Sequence, residues 1–247
     1  MKIGVFDSGA GGLSVVKSLL DHKLFEEIIY YGDTARVPYG PKDANTVIRY
    51  ALEALEFFNH FEIDLLITAC NTVSAYAITE MQGKAAYPVV GVIEPGIRAL
   101  ENSLMDKDAQ ILIIGTRATI ASKRYQDALG LLGYQNLTAR QTGLFVSMVE
   151  EGIFEGPLLH ETMEYYFKEI ETPQAIILGC THFPLISKSI KSYFDEKPTL
   201  IHSGEAIVEY LEERHGIKEK VAKTKLSIYA SDNVEGLRTI AKRWLND

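Results

Sequence analysis

Leu65-Leu66-Ile67-Thr68-Ala69-Cys70-Asn71-Thr72 and Ala175-Ile176-Ile177-Leu178-Gly179-Cys180-Thr181-His182 share one pattern: a short, mostly apolar run that ends in a cysteine and a polar turn. A run this short, apolar without alternation, suits a strand covered on both faces, as in a parallel sheet. Similar runs stand at residues 3–6, 28–31, 89–93 and 111–114, each closing near Gly, Asp, Cys or Thr. Between them Ile48, Leu52, Leu55 and Phe58 recur at three-to-four spacing, which predicts a helix laying one apolar stripe on a sheet. Val234, Leu237, Ile240, Ala241 and Trp244 predict a second such helix, docked near the end of the chain. Strands alternating with helices in this way predict a doubly wound α/β architecture.

The pattern also repeats at long range. Ile3-Gly4-Val5-Phe6-Asp7-Ser8 lies on Ile111-Leu112-Ile113-Ile114-Gly115-Thr116 at nearly the displacement that carries Cys70 onto Cys180. We therefore expect two similar α/β halves with mainly parallel sheets facing a shared cleft, residues 1–95 with 207–247 forming one and 96–206 the other. Hinges are expected around Glu94-Pro95-Gly96 and Ser203-Gly204. Each half then presents a cysteine just past the C-terminal end of a strand, where open α/β sheets bind ligands.

Composition narrows the partners. A net charge of −8 in 247 residues argues against broad binding to a nucleic-acid backbone, which needs an excess of Lys and Arg to displace counterions. With 47% hydrophobic and 23% charged residues the chain has material for a sizeable core. Two cysteines make no disulfide framework, and Asp7 interrupts the first apolar stretch too early for a signal peptide, so a cytoplasmic setting is expected. No apolar run approaches the roughly 20 residues needed to cross a bilayer, so no membrane association is expected.

The chemistry centres on the cysteines. A lone intracellular cysteine more often packs than reacts, but both of these sit at strand-to-loop junctions and are followed within two residues by hydroxyls or His182. A helix starting just after either one would aim backbone N–H groups at the sulfur and favour the thiolate. Two thiols on opposing halves suit the inversion of a carbon centre, which needs a base on one face and an acid on the other. An unperturbed thiol, with a pKa of about 8.5, is only slightly ionised at neutral pH, so one sulfur must be held as thiolate and the other as thiol. His182 either exchanges a proton with the second thiol or is a structural loop residue. The loop Asp7-Ser8-Gly9-Ala10-Gly11-Gly12 can bring N–H groups close to a carboxylate or phosphate, yet lacks both the dinucleotide and the P-loop signatures. Asp7 is either a helix cap or a carboxylate that orients an ammonium group, and if ionised it raises the pKa of a nearby thiol. The stretch from Gly32 to Pro41 predicts an ordered turn, whose backbone at Tyr39 and Gly40 either lines the site or serves the turn alone.

At these residues the sequence resembles the bacterial glutamate racemases of the aspartate/glutamate racemase superfamily. The resemblance lies in Ile3-Gly4-Val5-Phe6-Asp7-Ser8-Gly9, Tyr31-Gly32-Asp33-Thr34-Ala35-Arg36-Val37-Pro38-Tyr39-Gly40, Ala69-Cys70-Asn71-Thr72, Val92-Ile93-Glu94-Pro95 and Leu178-Gly179-Cys180-Thr181-His182-Phe183-Pro184-Leu185. It implies two facing α/β domains, a two-base mechanism without pyridoxal phosphate or metal, a homodimer, and supply of D-glutamate for peptidoglycan. It further implies that Cys70 and Cys180 are the catalytic pair, assisted by Asp7 and His182, with Glu150 near the second cysteine. A proline common in that last stretch is Ser147 here, and Glu151 adjoins. Asp7, Ser8, Tyr39, Gly40, Asn71, Thr72, Thr181 and His182 are implied to hold glutamate, with Ser8, Asn71, Thr72 and Thr181 offsetting charge at its carboxylate. Other readings are a racemase of aspartate or a related acid, and a non-enzymatic anion- or nucleotide-binding module whose cysteines only pack. A zinc site from Cys70, Cys180 and His182 matches no compact motif, and a redox disulfide lacks the C-x-x-C pattern.

Overall fold

The structure is a computed structural model that describes residues 1–218 and 220–245. Nine strands are present among them: β1 Lys2–Asp7, β2 Glu27–Gly32, β3 Leu65–Thr68, β4 Val89–Gly91, β5 Ile111–Gly115, β6 Leu137–Gln141, β7 Ala175–Gly179, β8 Thr199–His202 and β9 Lys225–Ala230. The helices are α1 Leu13–His22, α2 Ala44–Phe58, α3 Asn71–Tyr76, α4 Ile78–Lys84, α5 Ile93–Ser103, α6 Arg117–Ala121, α7 Arg124–Leu131, α8 Leu144–Glu150, α9 Pro157–Phe167, α10 Ser187–Tyr193, α11 Ser203–Arg214 and α12 Val234–Trp244, with a 3-10 turn at Phe183–Ile186. Among the described residues no helix is long and apolar enough to cross a membrane.

Every strand pairing is parallel. One sheet runs β4-β3-β1-β2-β9 and the other β6-β5-β7-β8. Reversing the second gives β8-β7-β5-β6, the order of the first four strands of the other sheet, so the repeat seen in the sequence is a repeat of topology. β1 and β5 are inner strands of their sheets and carry long buried runs, as two-sided burial requires. β9 adds beside β2, pairing Glu27 with Lys225 through Gly32 with Ala230. α12 follows it, burying Leu237, Ala241 and Trp244.

Helix α2 keeps the anticipated spacing but rotates it slightly. Val47, Ala51, Ala54, Leu55 and Phe58 face the sheet, while Ile48 and Leu52 sit half-buried at the edge. The alanines let the helix approach closely, and Gly4 in β1 leaves room for the Phe58 ring, since a Cβ there would stand 2.7 Å from it.

Three stretches differ in form from what Pro, Gly and apolar runs suggest. The run at 89–93 stops as a strand at Gly91, and Glu94-Pro95-Gly96 is no loop but lies in the opening turn of α5. A proline is tolerated there because the first N–H groups of a helix have no intrahelical acceptor to lose. Ser203 and Gly204 likewise begin α11, where both are buried and Gly204 lies against Ser18 of α1. Helices therefore carry both crossings between the halves, and α11 packs on both α1 and α5. The core is continuous across them: Ile3, Val5 and Ile67 share one buried cluster with Leu112, Ile114, Ile176 and Leu178.

Candidate active site

In a parallel sheet all C-terminal strand ends share one edge. β1 ends at Asp7 and β3 runs into Cys70; β5 runs into Thr116 and β7 into Cys180. In each sheet the two strands are neighbours whose onward connections diverge, which opens a crevice between their ends. The two crevices meet in one cavity of about 20 Å³, lined by Ser8, Val37, Pro38, Tyr39, Gly40, Cys70, Asn71, Thr72, Thr116, Val146, Cys180, Thr181 and His182. That volume holds about one water molecule, so the cleft is closed. Larger depressions, of about 670 Å³ against α9 and α10 and about 590 Å³ beside α5 and α7, open to solvent and touch neither cysteine.

The cavity wall thus contains both cysteines and the anticipated Ser8, Tyr39, Gly40, Asn71, Thr72, Thr181 and His182, while Asp7 and Glu150 stand behind it. Val37, Pro38, Thr116 and Val146 are additions. Of these Thr116 carried a sequence signal, because it occupies the place of Ser8 in the repeat.

The two thiols sit in unlike electrostatic settings. Cys70 precedes α3, receives the Val73 N–H, and approaches Ser8 Oγ at 3.6 Å. Burial, and then the nearby Asp7 carboxylate, push its pKa up to about 12, outweighing those two hydrogen bonds. The helix start does pull toward the thiolate, as expected, but burial and Asp7 outweigh it, so at neutral pH Cys70 is a thiol. At the other wall Cys180 Sγ lies 3.6 Å from His182 Nδ1, and His182 Nε2 lies 2.5 Å from Glu150 Oε1. Burial alone would lower the imidazole, but Cys180 and Glu150 outweigh it and hold His182 at about 10. The ring is therefore an imidazolium, donating to a carboxylate on one side and to a sulfur on the other.

Asp7 is fully buried and accepts from Gly9 N–H at 3.0 Å and Thr181 Oγ1 at 3.3 Å. Burial raises its pKa against the opposing pull of His182 and the N–H groups of Gly9 and Gly12. It is not the cap of α1, whose N-cap is Gly12 without a side-chain bond. Glycine at position 11 lets the two halves touch, since a Cβ there would stand 2.3 Å from Thr181 Oγ1. Asn71 commits its amide to the second half: Oδ1 accepts from Tyr125 Oη at 2.7 Å and Nδ2 donates to Ser203 Oγ at 3.2 Å. Thr72 Oγ1 meets Thr116 Oγ1 at 2.9 Å, and Thr119 completes a triangle of hydroxyls. The Tyr39 hydroxyl donates to buried Asp33, which also holds Arg36, so the turn bearing Tyr39 and Gly40 is pinned from behind. Among the described residues no group of three or more His, Cys, Asp or Glu side chains is arranged to hold a metal ion.

With this geometry in place, known proteins align closely. The family model for Asp/Glu/hydantoin racemases matches residues 14–211. A glutamate racemase of Nitratiruptor sp. is 60% identical over 247 residues, covering 100% of this chain and 97% of its own length. The crystal structure of glutamate racemase from Campylobacter jejuni superposes with a TM-score of 0.98 at 60% identity, covering 100% of this chain and 98% of that one. The enzyme from Francisella tularensis, crystallised in complex with D-glutamate, gives 0.87 at 34% identity, covering 100% of this chain and 94% of that one.

Proposed function

The chain belongs to the Asp/Glu/hydantoin racemase family, and on that premise we propose that it interconverts L- and D-glutamate with Cys70 and Cys180 as opposed acid and base. It is an isomerase, it works without pyridoxal phosphate or metal, and its D-glutamate goes to peptidoglycan. The observation that best supports the two-thiol assignment is that both buried sulfurs wall one closed cavity while their surroundings differ. The His182 imidazolium, backed by Glu150, stabilises negative charge on the Cys180 sulfur, which takes the α-proton as the C–H bond breaks and an S–H bond forms. Cys70, kept as a thiol, gives its proton to the opposite face of the carbanion, and the carbon is inverted. The reverse reaction exchanges the two roles, with Asp7 beside Cys70 and His182 beside Cys180.

An α-proton is far less acidic than a thiol, so charge developing on the substrate carboxylate must be met in a site without bulk water. Ser8, Thr72, Thr181 and the backbone around Asn71 surround the cavity with donors suited to that task. The same reading makes the protein a cytoplasmic homodimer. It treats residues 1–95 with 207–247 and residues 96–206 as units that part to admit substrate; of these, residues 219, 246 and 247 lie outside the described residues.

The test is a chiral assay of each glutamate enantiomer with no added cofactor and with a chelator present. Conversion in both directions is expected, with incorporation of deuterium at the α-carbon of the product in heavy water. Cys70→Ser and Cys180→Ser should each stay folded and lose nearly all turnover. A serine variant with parental turnover refutes the paired thiols, and conversion of aspartate in place of glutamate reassigns the substrate.

A further inference from the structure

One fully buried side chain touches the chain beside both cysteines. Tyr125 of α7 is 1% exposed and belongs to the second half. Its hydroxyl donates to Asn71 Oδ1 at 2.7 Å, and Asn71 directly follows Cys70. Its ring edge lies against Gly179, which directly precedes Cys180: a Cβ on Gly179 would meet Tyr125 Cε2 at 3.5 Å. Its other edge lies against α5, where a Cβ on Gly96 would stand 3.3 Å from Oη and 3.4 Å from Cε1. We propose that Tyr125 is a positioning residue that sets the gap between the two sulfurs, holding the Cys70 strand end through Asn71 and the Cys180 strand end through Gly179.

The inference rests on the two-thiol reading, because a gap matters only if both sulfurs must reach one carbon. A phenol ring is rigid, and here it is wedged between α5 and β7, so the position of its oxygen is fixed by packing rather than by a flexible stem. Asn71 cannot drift from that oxygen without leaving a buried carbonyl unpaired, since its amide nitrogen is already taken by Ser203. The first thiol is therefore referenced to the second half of the molecule. Neither the cavity lining nor the sequence pattern includes Tyr125, and it touches no reacting atom.

The full-length enzyme tests this with Tyr125→Phe and Gly96→Ala, measured for kcat, KM, thermal midpoint and the isotope effect of α-deuterated glutamate. Removing the hydroxyl releases Asn71. Misplacement of a reacting group on the order of 1 Å can cost about 100-fold, so Tyr125→Phe should lose at least about tenfold in kcat with KM little changed. Its isotope effect should stay at or above the parent's, placing the loss in proton transfer. Gly96→Ala adds a methyl that presses on the phenol, while alanine suits a helix better than glycine; kcat should fall without a lower thermal midpoint. A purely structural role predicts that kcat is lost only in step with the thermal midpoint. The proposal is overturned if both variants keep parental kcat, or if the isotope effect shrinks toward unity. If Tyr125→Phe does not fold, Gly96→Ala decides alone: parental kcat overturns the proposal, and reduced kcat at an undiminished midpoint supports it. Loss of both thiol roles would show instead as parental turnover in the cysteine-to-serine variants, so the two failures are distinguishable.

Discussion

At the scale of single residues, two sulfurs of identical chemistry are made different by what surrounds them. Cys70 has burial and the Asp7 carboxylate, both of which favour the neutral thiol; Cys180 has an imidazolium held by Glu150. Glu150 is only the last residue of α8, yet it reaches the buried ring at 2.5 Å and, after Cys180 itself, helps hold the charge next to the second sulfur. Glu150→Gln keeps the shape and removes the charge. We expect kcat to fall by about 10- to 100-fold, the scale for a group acting through an acid/base partner, and turnover at the parental rate would contradict the role given to it. The same groups set the pH dependence of stability. His182 moves from 6.5 unfolded to about 10 folded, so its contribution is complete below pH 6.5 and is lost as pH rises through 10. Cys70 moves from 9.0 to about 12; the unfolded chain releases that proton first, and stability falls further above pH 9. The thermal midpoint should therefore decline between pH 7 and 10, and Glu150→Gln should flatten the decline. A midpoint level across that range would show that His182 gains no proton on folding.

At the scale of elements, the strands covered on both faces were readable and the margins were not. β1, β3, β5 and β7 carry unbroken apolar runs because helices cover both sides, and that is a signal a single sequence transmits. β6 and β9 are edge strands of mixed, half-exposed residues, and β8 has only four, one of them exposed; none offers a period to read. The form of the hinge segments was not readable for a related reason: Pro and Gly mark turns in general, but Pro95 and Gly204 fall in first turns of helices, where proline costs little and glycine permits close packing. In the site, the strand-end residues were visible because Cys, Asp and His are the residue types that the proposed two-base chemistry calls for. Thr116 is marked only by its place in the repeat, and Tyr125 by nothing, since its importance comes from partners distant in the chain. Packing of α2 gives a test independent of chemistry. Phe58 is fully buried against Gly4 and closes the helix-to-sheet seam, so Phe58→Ala should cost about 3–5 kcal/mol of stability in urea unfolding. A loss under about 1 kcal/mol would mean that the seam collapses onto the missing ring.

At the scale of the whole molecule, a closed cleft must open for every turnover, and the bonds that cross it indicate where. A cavity of about 20 Å³ cannot admit an amino acid. The halves are joined by a continuous apolar core and by α11, which packs on both α1 and α5; parting them there would expose buried hydrophobic surface. Across the mouth the bonds are few and polar: Ala118 N–H to Gly40 O at 3.0 Å, the Thr72 to Thr116 hydroxyl pair at 2.9 Å, and Arg117 to Pro41 O. Polar contacts of this kind exchange for water at small net cost, whereas core contacts do not. Opening should therefore separate the 33–41 turn from α6 while the core side acts as the pivot. The Ala118 amide reports on it directly, because its acceptor lies on the opposite lip. In native-state hydrogen exchange it should exchange much faster than the amides of Ile113 and Ile177, which sit in inner strands and open only with larger unfolding. D-Glutamate, bound in the closed form, should slow exchange at Ala118 in proportion to occupancy and leave Ile113 and Ile177 little changed. If Ala118 is protected as strongly as the inner strands in the free protein, the mouth does not open at these lips, and substrate must enter by separation on the α11 side.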